Sequence, residues 1–260
     1  MMSSPVAFAP AILNGVADGE GAVVVLLHPV GLDHRTWEGI VPHLKEYKLV
    51  RLDLRGHGAS PAAISGMDLV DYAADVKLTL DGMGIFRATI IGLSMGGMIA
   101  QEFAVAYPDS VDGLVVAACP CTLSIEARDA LGRRGAPALA GGMCAVEQET
   151  MERWFTPTFL KSGGAEKTRQ TLLETSPAAW SIAWDAISRL DTRPRLDRVT
   201  AKSLCIAGAL DPSAPPTVVR IIADHIRDAR FLVIERGPHM MQVETPERLA
   251  DLVGQFLRDD

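Results

Sequence analysis

The sequence predicts an α/β protein in which a mainly parallel central sheet is flanked by helices and interrupted by a helical lid insertion. Three observations carry that expectation. Short apolar runs alternate with 3.6-residue helical patterns over most of the chain. The alternation stops over 120–195, which is rich in Ala, Arg and Glu and holds three of the four tryptophans. At Gly92-Leu93-Ser94-Met95-Gly96-Gly97, glycines crowd a serine where a strand pattern gives way to a helical one.

The elements follow in order. The first strand, 23–27, runs into His28-Pro29-Val30-Gly31, and the second, 48–52, leads into a charged loop holding Asp53, Arg55, His57 and Ser60. Gly56 and Gly58 let that loop turn tightly, and its polar groups can satisfy one another, so it reads as structural. A helix is expected over 68–83, then a β-branched strand over 89–91 and a helix over 95–107. The strand 114–118 ends at Cys119-Pro120-Cys121, where the insertion begins. After it come strand 204–207, helix 216–226, strand 231–234 and helix 246–257. The chain therefore divides into a core of 1–119 and 196–260 and a lid of 120–195.

Glycines flank Ser94 because a sharp strand-to-helix turn strains its central residue and brings the two elements close together. Such a turn presents the Ser94 hydroxyl and sets the Met95 amide at a helix N-terminus, where developing negative charge is stabilised. A serine hydroxyl is a weak nucleophile at neutral pH and needs an imidazole, itself oriented by an acid. Asp211, in the turn after strand 204–207, and His239, in the loop after strand 231–234, supply both. Asp185, Asp191 and Asp197 are rivals for the acid, but they lie in the insertion or at its exit. A second oxyanion donor is expected from the loop after the first strand; Pro29 has no N–H, which leaves the Val30 amide to pair with that of Met95.

His28-Pro29-Val30-Gly31, the Asp53 to Ser60 loop, Gly92 to Gly97, Asp211 and His239 together resemble the signature of α/β-hydrolase-fold serine hydrolases. Within that group, Gly92 to Met98 and Arg153-Trp154-Phe155-Thr156-Pro157 are most similar to 3-oxoadipate enol-lactonases. The chain departs from that likeness at His28 to Gly31, where those lactonases carry an Asn-Ser-Leu-Gly type loop. It departs again at Cys119-Pro120-Cys121, where they carry an Asn-Thr-Ala type segment. The resemblance thus implies ester or lactone hydrolysis more strongly than one particular lactone. A carbon–carbon bond hydrolase, a haloperoxidase-like perhydrolase and a non-catalytic small-ligand receptor share the pattern and stay open.

Candidate substrate contacts are His28, Trp37, Arg133, Arg134, Trp154, Phe155, Trp180 and Trp184. Arg133 and Arg134, with Arg128 and Arg153, could pair with a substrate carboxylate or form a solvated helix face, and the lid aromatics could line a pocket or form the lid's own core. Trp37 is a pocket wall or a helix anchor, and His28 has a local hydrogen-bonding role as its alternative. The proposed chemistry calls for no cofactor or metal.

The 260 residues are 48% hydrophobic and carry a formal charge of −7, which disfavours a nucleic-acid partner. No apolar run approaches the roughly 20 residues of a membrane-spanning helix, and the first five residues lack a basic start, so a cytoplasmic protein with a small-molecule partner is expected. The four cysteines have no Cys-x-x-Cys spacing and read as reduced thiols. The oligomeric state is left open.

Overall fold

A computed structural model describes residues 8–259. Seven strands form one sheet among these residues: β1 (Gly15–Asp18), β2 (Val23–Leu27), β3 (Lys48–Leu52), β4 (Ala88–Leu93), β5 (Val111–Ala117), β6 (Lys202–Gly208) and β7 (Arg230–Ile234). Their spatial order is β1-β3-β2-β4-β5-β6-β7, and every pairing is parallel except that of β1 with β3. Five strands coincide with the expected ones or extend them by a few residues, and β5 starts three residues before the expected 114–118 and stops one short, at Ala117, because Ala118 takes a positive φ. The seventh, β1, is a four-residue edge strand that opens on glycine and never becomes fully buried, so it lacks the apolar run that marks its neighbours.

Helix α1 (Leu69–Gly82) opens at Asp68, whose backbone N–H donates to the Asp71 carboxylate at 2.7 Å. Helix α2 (Met95–Ala106) is buried from Met95 through Ala104. A helix that is apolar nearly all round belongs inside a fold, and α2 packs between α1 and strands β4 and β5.

Between β5 and β6 the chain forms six α-helices and no strand: α3 (Ile125–Gly132), α4 (Ala136–Gly141), α5 (Cys144–Trp154), α6 (Pro157–Lys161), α7 (Glu166–Glu174) and α8 (Pro177–Ser188). Ser124, Thr156 and Ser176 cap α3, α6 and α8 by accepting the amides of Ala127, Phe159 and Ala179. The remaining helices are α9 (Pro216–His225), α10 (Met241–Glu244) and α11 (Pro246–Arg258). No helix among the described residues is long and apolar enough to cross a membrane.

The insertion leaves and re-enters through a narrow neck. The Cys121 carbonyl accepts the amides of Thr192 and Arg193 at 2.8 and 3.1 Å, and Thr122 and Asp191 form a bridge across it. Two consecutive residues of α2 then tie the neck to the core. Gln101 Nε2 donates to the Pro120 carbonyl at 3.0 Å, while the buried Glu102 carboxylate accepts Thr192 Oγ1 at 2.6 Å and both terminal nitrogens of Arg195 at 2.7 and 2.8 Å.

Removing Arg195 leaves Glu102 buried with only a hydroxyl for company. Arg195→Ala should therefore lower stability by about 2 kcal/mol. The exposed Arg87–Asp112 pair provides the contrast, and Arg87→Ala should cost less than about 1 kcal/mol. Urea unfolding of both variants measures the difference.

Candidate active site

The site begins at the junction of β4 and α2. Ser94 has φ 55° and ψ −120°, a strained conformation for a residue with a side chain. Two glycines make the turn possible by removing Cβ atoms that would overlap backbone: at Gly92 the Gly96 carbonyl, and at Gly96 the Leu27 carbonyl at the end of β2. The turn is fixed by the Ser94 amide donating to the Ala117 carbonyl at 2.9 Å, and by the Met98 amide donating to the Ser94 carbonyl at 3.0 Å.

Asp211 and His239 reach Ser94 from the loops after β6 and β7. Those loops pack backbone to backbone, with the amides of Ala209 and Leu210 donating to the carbonyls of Ile234 and Gly237, both at 3.0 Å. Asp211 Oδ1 accepts the amides of Ser213 and Ala214 at 2.7 and 3.1 Å. This leaves Oδ2 free to meet His239 Nδ1 at 2.8 Å, and His239 Nε2 lies 3.0 Å from Ser94 Oγ. A carboxylate only accepts, so Nδ1 carries the proton and Nε2 presents its lone pair to the serine hydroxyl. All three side chains are buried. Of the rival acids, Asp185 pairs with Arg189 and Asp191 with Thr122.

A cavity of about 480 Å³ opens over Ser94 and His239. Val30, Met98 and Ala118 line it from the core, Pro120 from the start of the insertion, and Pro212, Ser213 and Ala214 from the loop after β6. The insertion contributes Leu123, Ala127, Ala130, Leu131 and Arg134, then Glu149, Arg153 and Trp154 from α5, and Trp184 and Ile187 from α8. Arg134 lies over the Trp184 ring, 4.4 Å from its centroid. Burial pushes the Arg134 pKa down, the nearby Arg153 lowers it further, and Glu149 opposes the shift. Arg153 is itself held by Glu149 at 2.9 Å, whereas Arg134 has no carboxylate partner among the described residues.

Of the candidate substrate contacts, Arg134, Trp154 and Trp184 line the cavity. The other five do not, each for a local reason. Phe155 follows the last residue of α5 and turns away to stack on Phe159 at 5.3 Å. Trp180, one helical turn before Trp184, is fully buried behind the loop after β2, against Gly31. Trp37 sits in a short 3-10 helix and is wholly buried in the core. Arg133 is exposed at the end of α3. His28 is buried, its nitrogens engaged with the Pro29 carbonyl and the Leu54 amide. Met98, Leu131, Glu149 and the turn from Pro212 to Ala214 are lining residues that the sequence reading missed. Met98 was within reach, since it lies one turn after Ser94 on the same helix face.

His57 is also buried, beside His28. Burial holds both imidazoles below their ordinary pKa, that of His57 at about 3.

The chain belongs to the alpha/beta hydrolase family, whose model matches residues 24–252, and is a hydrolase by that membership. It is 29% identical to 3-oxoadipate enol-lactonase 1 of Acinetobacter baylyi over 238 residues, covering 90% of this chain and 88% of that protein. The (E)-2-((N-methylformamido)methylene)succinate hydrolase of the same organism is 27% identical over 245 residues, covering 92% and 91%. Among solved structures, the enol-lactonase from Burkholderia xenovorans LB400 superposes with a TM-score of 0.90 at 26% identity, covering 95% of this chain and 96% of that one.

A buried imidazole that stays neutral in the folded state couples stability to pH. Below about 6.5 the unfolded chain takes up protons that folded His28 and His57 refuse, so stability is full above that pH and falls as the pH drops toward 3. The thermal midpoint should decline between pH 6.5 and 4.5, and His57→Gln should flatten that decline; scanning calorimetry across the window reads both.

Proposed function

We propose that this hydrolase cleaves a small carboxylic ester or lactone that carries a second carboxylate, through an acyl-enzyme on Ser94. The observation that carries the reading is the unbroken line from Asp211 Oδ2 through the His239 ring to Ser94 Oγ, with contacts of 2.8 and 3.0 Å at the floor of a cavity. Ser94 Oγ attacks the substrate carbonyl carbon while its proton passes to His239 Nε2, and Asp211 steadies the imidazolium. The amides of Val30 and Met95 receive the oxyanion; Met95 opens α2, so its N–H has no acceptor within the helix. Collapse of the intermediate breaks the bond to the alcohol oxygen, which leaves with the proton from His239. Water, deprotonated by the same imidazole, then attacks the acyl carbon and frees Ser94. With a lactone the alcohol stays tethered to the acyl group, so water must reach the ester before the ring recloses.

The second carboxylate is read from the cavity wall. Arg134 presents a cation without a partner carboxylate among the described residues, held over the Trp184 ring, and a guanidinium in that setting favours an anionic group. The Trp184 indole N–H is buried and also lacks an acceptor among the described residues. A volume of about 480 Å³ suits a small molecule. The relatives named for an enol-lactone of oxoadipate and for a substituted succinate support the same chemistry.

Ser94→Ala should abolish hydrolysis of p-nitrophenyl acetate, and undiminished turnover by that variant overturns the assignment. Arg134→Leu should lower the ratio of kcat/KM for a monoalkyl succinate over that for a neutral ester by about 10- to 100-fold, the worth of one charged hydrogen bond. An unchanged ratio removes the carboxylate from the reading.

A further inference from the structure

The charged loop after β3 supplies no reacting group to the proposed hydrolysis, yet its histidine reaches the loop that follows β2. His57 Nδ1 donates to the Arg55 carbonyl at 3.1 Å, which leaves the Nε2 lone pair to accept the Gly31 amide at 3.0 Å. His28 uses the same tautomer in the opposite sense: Nδ1 donates to the Pro29 carbonyl at 2.7 Å, and Nε2 accepts the Leu54 amide at 2.8 Å. The two rings meet edge to face with centroids 5.0 Å apart. Thr175 Oγ1, just beyond α7, donates to the Gly31 carbonyl at 2.8 Å.

These bonds fall on three consecutive peptide groups. His28 holds the one joining Pro29 to Val30, His57 the one joining Val30 to Gly31, and Thr175 the one joining Gly31 to Leu32. In a trans peptide the carbonyl and the N–H point in opposite directions, so the bond to the Pro29 carbonyl turns the Val30 N–H away from His28. The Pro29–Val30 plane turns about Pro29 ψ and Val30 φ, so it is pinned only if the Val30–Gly31 plane on the far side of Val30 is also held. Gly31 has φ +74°, and a Cβ there would strike Trp180 and Leu172, so the turn leaves little freedom on that side. His57 closes the remaining degree of freedom.

We propose that His57 is a positioning residue for hydrolysis: by accepting the Gly31 amide it locks, together with His28, the direction of the Val30 N–H that receives the oxyanion. The role rests on the Ser94 reading above. It requires an acceptor at Nε2 and therefore a neutral ring, because an imidazolium donates from both nitrogens and would turn the Gly31 amide away.

The test compares His57→Phe, which keeps a ring but removes the acceptor, with His57→Gln, which returns an amide oxygen able to accept from Gly31. On p-nitrophenyl acetate, His57→Phe should lower kcat about 10- to 100-fold with KM within about twofold, because a misaimed oxyanion donor is missed in the transition state and not in the ground state. Affinity for a trifluoromethyl ketone, whose adduct places an oxyanion in the same hole, should fall by a similar factor, and His57→Gln should recover part of both losses. Wild-type kcat in His57→Phe, alongside an inactive Ser94→Ala, overturns the role of His57 and leaves the Ser94 reading intact. An active Ser94→Ala instead overturns the reading beneath it. If His57→Phe does not fold, nitrogen NMR of the wild-type imidazoles decides: the Nδ1–H tautomer at His57 at pH 7 upholds the proposal, and an Nε2–H or doubly protonated ring overturns it.

Discussion

The site depends on how closely one helix can approach the end of one strand. Gly96, in the first turn of α2, lies against the backbone carbonyls of Leu27 and His28 where β2 ends. That single contact sets the spacing between the helix N-terminus and the following loop, which are the two segments that supply the proposed oxyanion amides. A methyl group at Gly96 would push them apart before any side chain near the substrate had changed. The strained backbone of Ser94 is the other face of the same constraint, since the chain must turn within one residue for α2 to run back so close to the sheet. The cost of that turn is offset by the burial of α2 on nearly every side, which a surface helix could not provide.

Three buried histidines lie in the same molecule and do different work because of what surrounds their nitrogens. His28 and His57 sit between neutral backbone groups, with a carbonyl at one nitrogen and an amide at the other. A proton added there meets no carboxylate in direct contact, and the fields of Asp53 and Asp33 do not offset the burial. His239 has a carboxylate at Nδ1 and a hydroxyl at Nε2, so in the proposed reaction a proton from Ser94 would form an ion pair with Asp211 in place of an isolated buried cation. The division of labour is written in the partners, since the ring is the same in all three.

Most of the core was legible in the sequence because parallel central strands are buried on both faces and read as unbroken apolar runs. Ser94, Asp211 and His239 could be named together because each follows a strand end, and strand ends in a parallel sheet share an edge. β1 escaped detection because an edge strand of four half-exposed residues has no such run. The insertion was legible as helical, but which of its residues face the cavity was not. Neighbours in sequence part company there: Arg134 lines the cavity while Arg133 faces solvent, and Trp154 lines it while Phe155 turns back. Helical phase within a segment can be read from one chain, but the packing angle between short helices follows from contacts that no local pattern records. The loop from Asp53 to Ser60 was read correctly as a hydrogen-bonded knot, yet its reach to Gly31 crosses 26 residues and is visible only in three dimensions.

The neck has a consequence for how such a protein can change. Because the Cys121 carbonyl gathers the amides of Thr192 and Arg193, some 70 residues begin and end at a single point, itself tied to α2 by Gln101 and Glu102. The entropy of closing a loop grows only with the logarithm of its length, so once the ends are joined, adding or deleting a helix inside alters the cost of closure by only about half a kcal/mol per doubling. The insertion behaves as a cassette. Exchanging its contents would change the wall it gives the cavity while leaving the turn between β4 and α2 in place.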